Sequence, residues 1–386
     1  MVWKILKNIV FYLFLIVLVA VALHYFWAPR YYFPETEIFY GKQTFNPYTI
    51  SQSTSWKKVG ITTEPVWYEN LMKRLSGDEN QVMINHSYYD TLLVAGNQRI
   101  VNKSQPIYKQ GLFHDDNFVI GCNKIEWNDY PFVRDIHNKQ HRINKIRGKG
   151  CLLYVEPSVF FDDYQKDHPE LLQNYNGFMV DESFEQVAHL WDRALSAGKY
   201  TTILAKALPK NSRFKPEKQY RIIYIPQNDR SLEQNLKDGN YFVSSRYENH
   251  HGNQRPQNEM SWLANVEVEN DTLIIETRIK AYAINFFTQN GDVEKVVKNT
   301  ENATCAMDRN DTYLRTEILF DDGTRYYLNP VHRYNGNKPH NTIHPHKNTF
   351  KTWLFRGIGI FGLIIVVWIL LYIKRRIRIE ILEPKE

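Results

Sequence analysis

Apolar positions fall along this chain in three textures. Residues 9–27 run IVFYLFLIVLVAVALHYFW, with His24 the clear polar interruption, and residues 357–373 run GIGIFGLIIVVWILLYI without a charge. About 20 apolar residues at a rise of roughly 1.5 Å cross a hydrocarbon core of about 30 Å, so transmembrane helices are expected over 9–27 and 354–373. A secretory signal peptide is the competing reading of the first. Its apolar run exceeds the usual length of about 7–15 residues, and no small-x-small cleavage site follows.

The middle is different. Over 56–218 the strand-length runs KVGITT, QVMINHS, NFVIGCN, GCLLYVEPS, GFMVD and YTTILAKA alternate with helical stretches. That alternation argues for βα units and a mostly parallel sheet or barrel. The clearest helix starts near Ser183, which can cap it, with Gln186 three residues on. Phe184, Val187, Ala188, Trp191 and Leu195 form its apolar face, and Gly198 stands where a helix stop is expected. Over 219–335 the texture is strand after strand (QYRIIYIP, NYFVSSRY, TLIIETRIKAYAINFFTQ, TYLRTEILF, TRYYLNP), broken by Asn-Asp, Asp-Gly and Asn-Gly turns and by one helix near Ser231. This part reads as a β-rich appendage. Residues 28–55, rich in Pro, Tyr, Ser and Thr, read as an extended lead-in, and 336–352 as a polar tether.

Charge then orients the chain. Lys4 and Lys7 precede the first span, while Lys374, Arg375, Arg376 and Arg378 follow the second. The positive-inside bias places both termini and the tail, 374–386, in the cytoplasm, and residues 28–352 outside it, periplasmic if the cell is bacterial. The bilayer is thus one partner, and an extracytoplasmic or membrane protein is expected as another. The net charge of +6 is spread without a basic stripe, which argues against nucleic acid. Three cysteines (Cys122, Cys151, Cys305) offer no metal or redox spacing, and buried free thiols are favoured over one disulfide. The Asn-x-Ser/Thr sequons, such as the one at Asn102, arise readily in an Asn-rich chain.

Several fragments, in order, resemble the PHP (polymerase and histidinol phosphatase) family of metal-dependent phosphoesterases. They are the NPY…WKK lead, KIRGKGCLLYVEPS, LLQNYNGFMV, HLWDRALSAGKYTTILA, SLEQNLKDGNYFVSS and TYLRTEILFDDGTRYYLNPVH, together spanning about 46–335. The resemblance implies an α/β fold, a distorted (β/α)7 barrel with the β-rich part appended and the two transmembrane helices flanking it. It also implies up to three metal ions held by His, Asp and Glu at the strand ends, activating water against a phosphoryl group. The residues at the matching positions are Thr62 and Glu64, Asn85 and His86, Asn123, Glu156, Met179, and near the last pair Leu208 and Lys210. Only His86 keeps its type. Methionine and lysine are not ligands for Mg²⁺, Mn²⁺ or Zn²⁺ in such a site, so the expectation is a catalytically inactive, cofactor-free relative acting as a binding or complex-forming module. A reduced phosphoesterase site built from His86, Glu64 and Glu156 is the alternative.

Lys210, or Lys206 if the register slips, is expected to place its ammonium between Glu64 and Glu156 in place of the lost cations, against the plainer reading of Lys210 on a solvated loop. The histidines of HNTIHPH (His340, His344, His346) and the pair His250 and His251 read as linker and loop residues. Neither a G-x-S-x-G elbow, nor a P-loop, nor a dinucleotide fingerprint is present.

Overall fold

The computed structural model describes residues 2–33, 37–50, 53–63, 90–97, 107–110, 117–121, 130, 135–148, 150–156, 169–181, 183–207, 219–247, 261–336 and 345–382. Among these are five α-helices: α1 (Val2–Trp27), α2 (Ile136–Arg147), α3 (Phe184–Ser196), α4 (Leu232–Asp238) and α5 (Thr349–Leu382). The strands are β1 (Gln43–Phe45), β2 (Trp56–Thr63), β3 (Thr91–Asn97), β4 (Ile107–Gln110), β5 (Asn117–Ile120), β6 (Leu152–Val155), β7 (Gly177–Val180) and β8 (Thr202–Ala205). They continue with β9 (Gln219–Pro226), β10 (Phe242–Tyr247), β11 (Leu263–Glu269), β12 (Thr272–Phe287), β13 (Val293–Ala306), β14 (Tyr313–Leu319) and β15 (Arg325–Tyr334). The chain divides into two compact units, one of residues 1–33, 130–142 and 345–386, the other of 34–129 and 143–344.

The larger unit is a curled, mainly antiparallel sheet in the order β11-β12-β14-β15-β10-β9-β2-β3-β4-β5-β6-β7-β8, with β1 beside β15 and β13 beside β12. This overturns the expected (β/α)7 barrel. Such a barrel repeats parallel pairs joined by helical crossovers. Among the described residues, β2–β3, β3–β4, β6–β7 and β7–β8 are parallel, while β4–β5 and β5–β6 run antiparallel. Among the described residues, β7–α3–β8 is the one complete crossover of helix between adjacent parallel strands. β9, which opens the β-rich part, pairs directly with β2.

Local signals held where their chemistry is short-range. Ser183 accepts the Glu185 N–H at 3.2 Å and caps α3, which buries Phe184, Val187, Trp191 and Leu195 as its periodicity requires. Ser231 likewise caps α4, which ends on Gly239 at φ 78°. Asn270 and Asp271, with φ 47° and 62°, make the tight turn joining β11 to β12. Asn46 of the NPY lead accepts the Tyr48 N–H at 3.0 Å and donates to the Val266 carbonyl at 3.1 Å, so the lead-in is stitched to β11.

The core of this unit combines aliphatic side chains with a cluster of packed rings. Tyr224 stacks on Phe242 at 4.9 Å, Phe242 meets Tyr326 at 4.8 Å, and Trp56 meets Phe242 edge-on at 5.0 Å. Each ring fully removed from water contributes about 1.5–3 kcal/mol of hydrophobic free energy.

In the smaller unit, Ile5–Trp27 and Thr349–Arg376 are long and apolar enough to cross a membrane, by length and composition. They run antiparallel: Phe26 meets Phe355 at 5.4 Å, while Lys374 lies over Phe11 and Tyr12 at the other end. Gly359 permits the close approach, since a Cβ there would lie 2.3 Å from the Phe26 ring. The end of the expected tether is pinned as well. Tyr31 pairs with Lys347, the Tyr32 N–H donates to the His346 carbonyl at 2.8 Å, and Asn348 N–H donates to the Arg30 carbonyl at 2.8 Å.

Candidate functional site

Parallel β6, β7 and β8 end side by side, at Val155, Val180 and Ala205, and the residue after each end is charged: Glu156, Asp181 and Lys206. The register explains the grouping. Val155 pairs with Phe178 and Met179 with Leu204, so one further step puts Glu156, Met179 and Leu204 in one row and Asp181 and Lys206 in the next, all on one face. Carboxyl ends of parallel strands are where open α/β sheets present ligands.

What stands there is an ion triad. Lys206 Nζ lies 2.9 Å from Glu156 and 2.7 Å from Asp181, with the three side chains only 8%, 12% and 5% exposed. The ammonium also lies 5.3 Å from the centre of the buried Phe118 ring. From β9, the fully buried Arg221 donates to the carbonyls of Val180 (3.2 Å) and Asp181 (2.7 Å), bolting down the end of β7. Two cations therefore balance two carboxylates. In such a dry place each charge depends on its partner, because a lone buried ion costs several kcal/mol.

Of the positions named from sequence, the structure brings Glu156 and Met179 together, the latter fully buried. Thr62, half-buried, lies at the end of β2, next to Ile61, whose carbonyl accepts the Ala207 N–H at 2.6 Å. Glu64, Asn85, His86, Asn123, Leu208 and Lys210 lie outside the described residues. The bridging lysine is Lys206, and its second carboxylate is Asp181. Sequence reasoning passed over Asp181, although GFMVD ends on it two positions beyond Met179, on the same strand face.

A second buried cluster also went unseen. Arg315 grips Asp192 through Nε and Nη2, both at 2.9 Å, and also pairs with Glu317. The Arg315 guanidinium lies 4.2 Å from the Phe287 ring and 5.3 Å from Trp191. Burial works against its charge, yet Asp192 and Glu317 outweigh that and raise its pKa. The cluster ties α3 to β14.

Two more buried bases have perturbed protonation. Burial lowers the Lys199 amine to about 7 against the opposing pull of Glu170, and the amine donates to the carbonyls of Leu172 and Pro169. Burial lowers His332 to about 4. Its Nδ1 is 2.7 Å from the Arg333 carbonyl and so carries the proton, while the ring stacks on Phe39 at 4.4 Å. An acidic trio, Glu294, Asp308 and Asp311, lies on the surface side, where Asp311 accepts from Asp308 N–H and Thr288 and so braces a turn. Cysteine chemistry departs from expectation: Cys305 is a buried free thiol, but Cys151 is disulfide-bonded.

No family model, curated protein or solved structure matches this chain.

Proposed function

We propose that this chain is a two-span membrane protein with both termini cytoplasmic, whose sheet unit is an extracytoplasmic, non-catalytic module that binds a protein partner. The observation that carries the reading is the Lys206–Glu156–Asp181 triad. At the strand ends where an α/β enzyme would present open ligands, the carboxylates are already engaged by an ammonium, and the group is formally neutral once Arg221 is counted. A metal reaching Glu156 would first have to displace that ammonium. The Cys151 disulfide supports the compartment, since such bonds persist in oxidising surroundings and are rare in the cytosol. The antiparallel helix pair and its basic ends support the orientation.

The test has two arms. Protease added outside sealed cells or spheroplasts should cut the central part and spare the termini; a protected centre with accessible termini overturns the topology. The purified full chain should turn over no phosphoester with Mg²⁺, Mn²⁺ or Zn²⁺. Metal-dependent turnover that disappears in His86→Ala overturns the non-catalytic reading.

A further inference from the structure

Among the described residues, β11 ends the sheet on one side, and its outward edge faces a cavity of about 630 Å³. The cavity lies between the lead-in and β11, and its polar lining includes Thr44, Asn46, Thr49, Asn265 and Glu267. The turn at Asn270 and Asp271 makes Glu269 and Thr272 the hydrogen-bonded pair that closes the hairpin. Alternation along the antiparallel ladder then turns the backbone groups of Glu267 and Asn265 towards β12, and those of Val266 and Val268 away from it. Asn46 confirms the direction, since its Nδ2 donates to the Val266 carbonyl at 3.1 Å from the lead-in side. The N–H groups of Val266 and Val268 and the Val268 carbonyl have no partner among the described residues. Charge marks the same edge. Glu267 and Glu269 are exposed on one strand face, and neither has an ion-pair partner among the described residues. At the turn, Asp271 is already paired with Arg333 at 2.7 Å.

We propose that β11 takes up an extended segment of the partner protein as an added strand, with lysine or arginine at alternate positions beside Glu267 and Glu269. The site deepens the protein-binding reading above and rests on it. Outward donors and acceptors two residues apart match the repeat of an extended backbone, which makes the ligand a peptide chain. The cavity gives that chain room between the lead-in and the edge. A second copy of β11 fits less well. An antiparallel register using both Val266 and Val268 sets Glu267 against its own counterpart, and like charges directly opposite destabilise a strand pair.

The full chain in mild detergent would be titrated with two fluorescent peptides, acetyl-Lys-Val-Lys-Val-Lys-amide and its counterpart with glutamate in place of each lysine. The lysine peptide should bind saturably, about tenfold more tightly than the glutamate peptide, and slow hydrogen exchange at the Val266 and Val268 amides. Glu267→Lys combined with Glu269→Lys should reverse the preference while circular dichroism stays unchanged. Val268→Pro removes one outward N–H at an edge position, where proline is tolerated, and should weaken the lysine peptide about tenfold. Absent or equal binding of the two peptides overturns the site, and so does undiminished binding in a folded Val268→Pro chain. Amides already protected without peptide overturn it as well. Dimerisation that Val268→Pro abolishes assigns the edge to a second copy instead. Any of these results leaves the module reading standing, whereas a protease-protected centre or metal-dependent turnover fails that reading and not the edge.

Discussion

The Lys206 ammonium lies 2.7 Å from the Asp181 carboxylate, one row above Met179 on the face shared by β7 and β8. Glu156 completes the group at 2.9 Å. Removing the cation leaves two carboxylates close together and nearly dry. Lys206→Met should therefore cost about 3–5 kcal/mol, read by chemical denaturation of the full chain in detergent. Adding Glu156→Gln and Asp181→Asn should return much of that loss, because the uncompensated charge is then gone. A single-variant cost below about 1 kcal/mol would place the triad in solvent.

The Asp192–Arg315 pair makes a stronger structural claim, since both ions are nearly fully buried and the contact is bidentate. Arg315→Met should destabilise by about 3–5 kcal/mol. Asp192→Asn should cost less, because an amide still accepts from the guanidinium. The double variant should fall short of the sum, as expected of partners in one network.

Acid should destabilise the sheet unit through His332. Its native pKa, about 4, lies below the ordinary 6.5, so between those values the unfolded chain binds a proton that the native ring refuses. Stability then rises with pH across that window and is lost on acidification, by about 3 kcal/mol in all. His332→Phe keeps the stacking on Phe39 and should flatten the slope between pH 6.5 and 4. A slope unchanged in that variant would assign the acid sensitivity elsewhere.

At the other end of the scale, Lys199 titrates near 7 in the native state against 10.5 when free. The unfolded chain again holds more protons between those values, so stability should climb from pH 7 towards 10.5. Below 7 the cost of the buried ammonium is fully present. Lys199→Met should remove the climb, as measured by denaturation midpoints at pH 7, 8 and 9.

Cysteine labelling gives an independent check on the compartment. Cys305 is free and Cys151 is bonded, so the denatured, unreduced chain should take up fewer equivalents of alkylating reagent than the three taken up by the reduced chain. Cys151→Ser should cost about 2–5 kcal/mol. Three reactive thiols before reduction would argue for a reducing compartment and against an extracytoplasmic sheet.

What the sequence by itself determined was the short-range part. Two long apolar runs, the first broken only by His24, make membrane-length helices, because backbone groups in lipid must be satisfied within the segment and no partner is needed to say so. Ser183, Ser231 and Gly239 set helix ends, and Asn270 with Asp271 set a hairpin, because caps and tight turns depend on a few adjacent residues. What only the tertiary structure decided was which strands meet. A run such as LLYV or TILA is equally apolar beside a parallel or an antiparallel neighbour, so the runs of 56–218 read as a barrel while the sheet paired several of them the other way. Strand β13 went unread for a related reason: it is exposed over most of its length and lacks the alternation that betrays a half-buried strand. The triad shows both sides at once. Glu156 and Lys206 could be picked out as strand-end charges, but their partner Asp181 became visible only when the β6–β7–β8 register put three chain segments, from 25 to 50 residues apart, within about 3 Å of one ammonium. Long-range register is set by the summed packing of whole faces, and no single segment carries it.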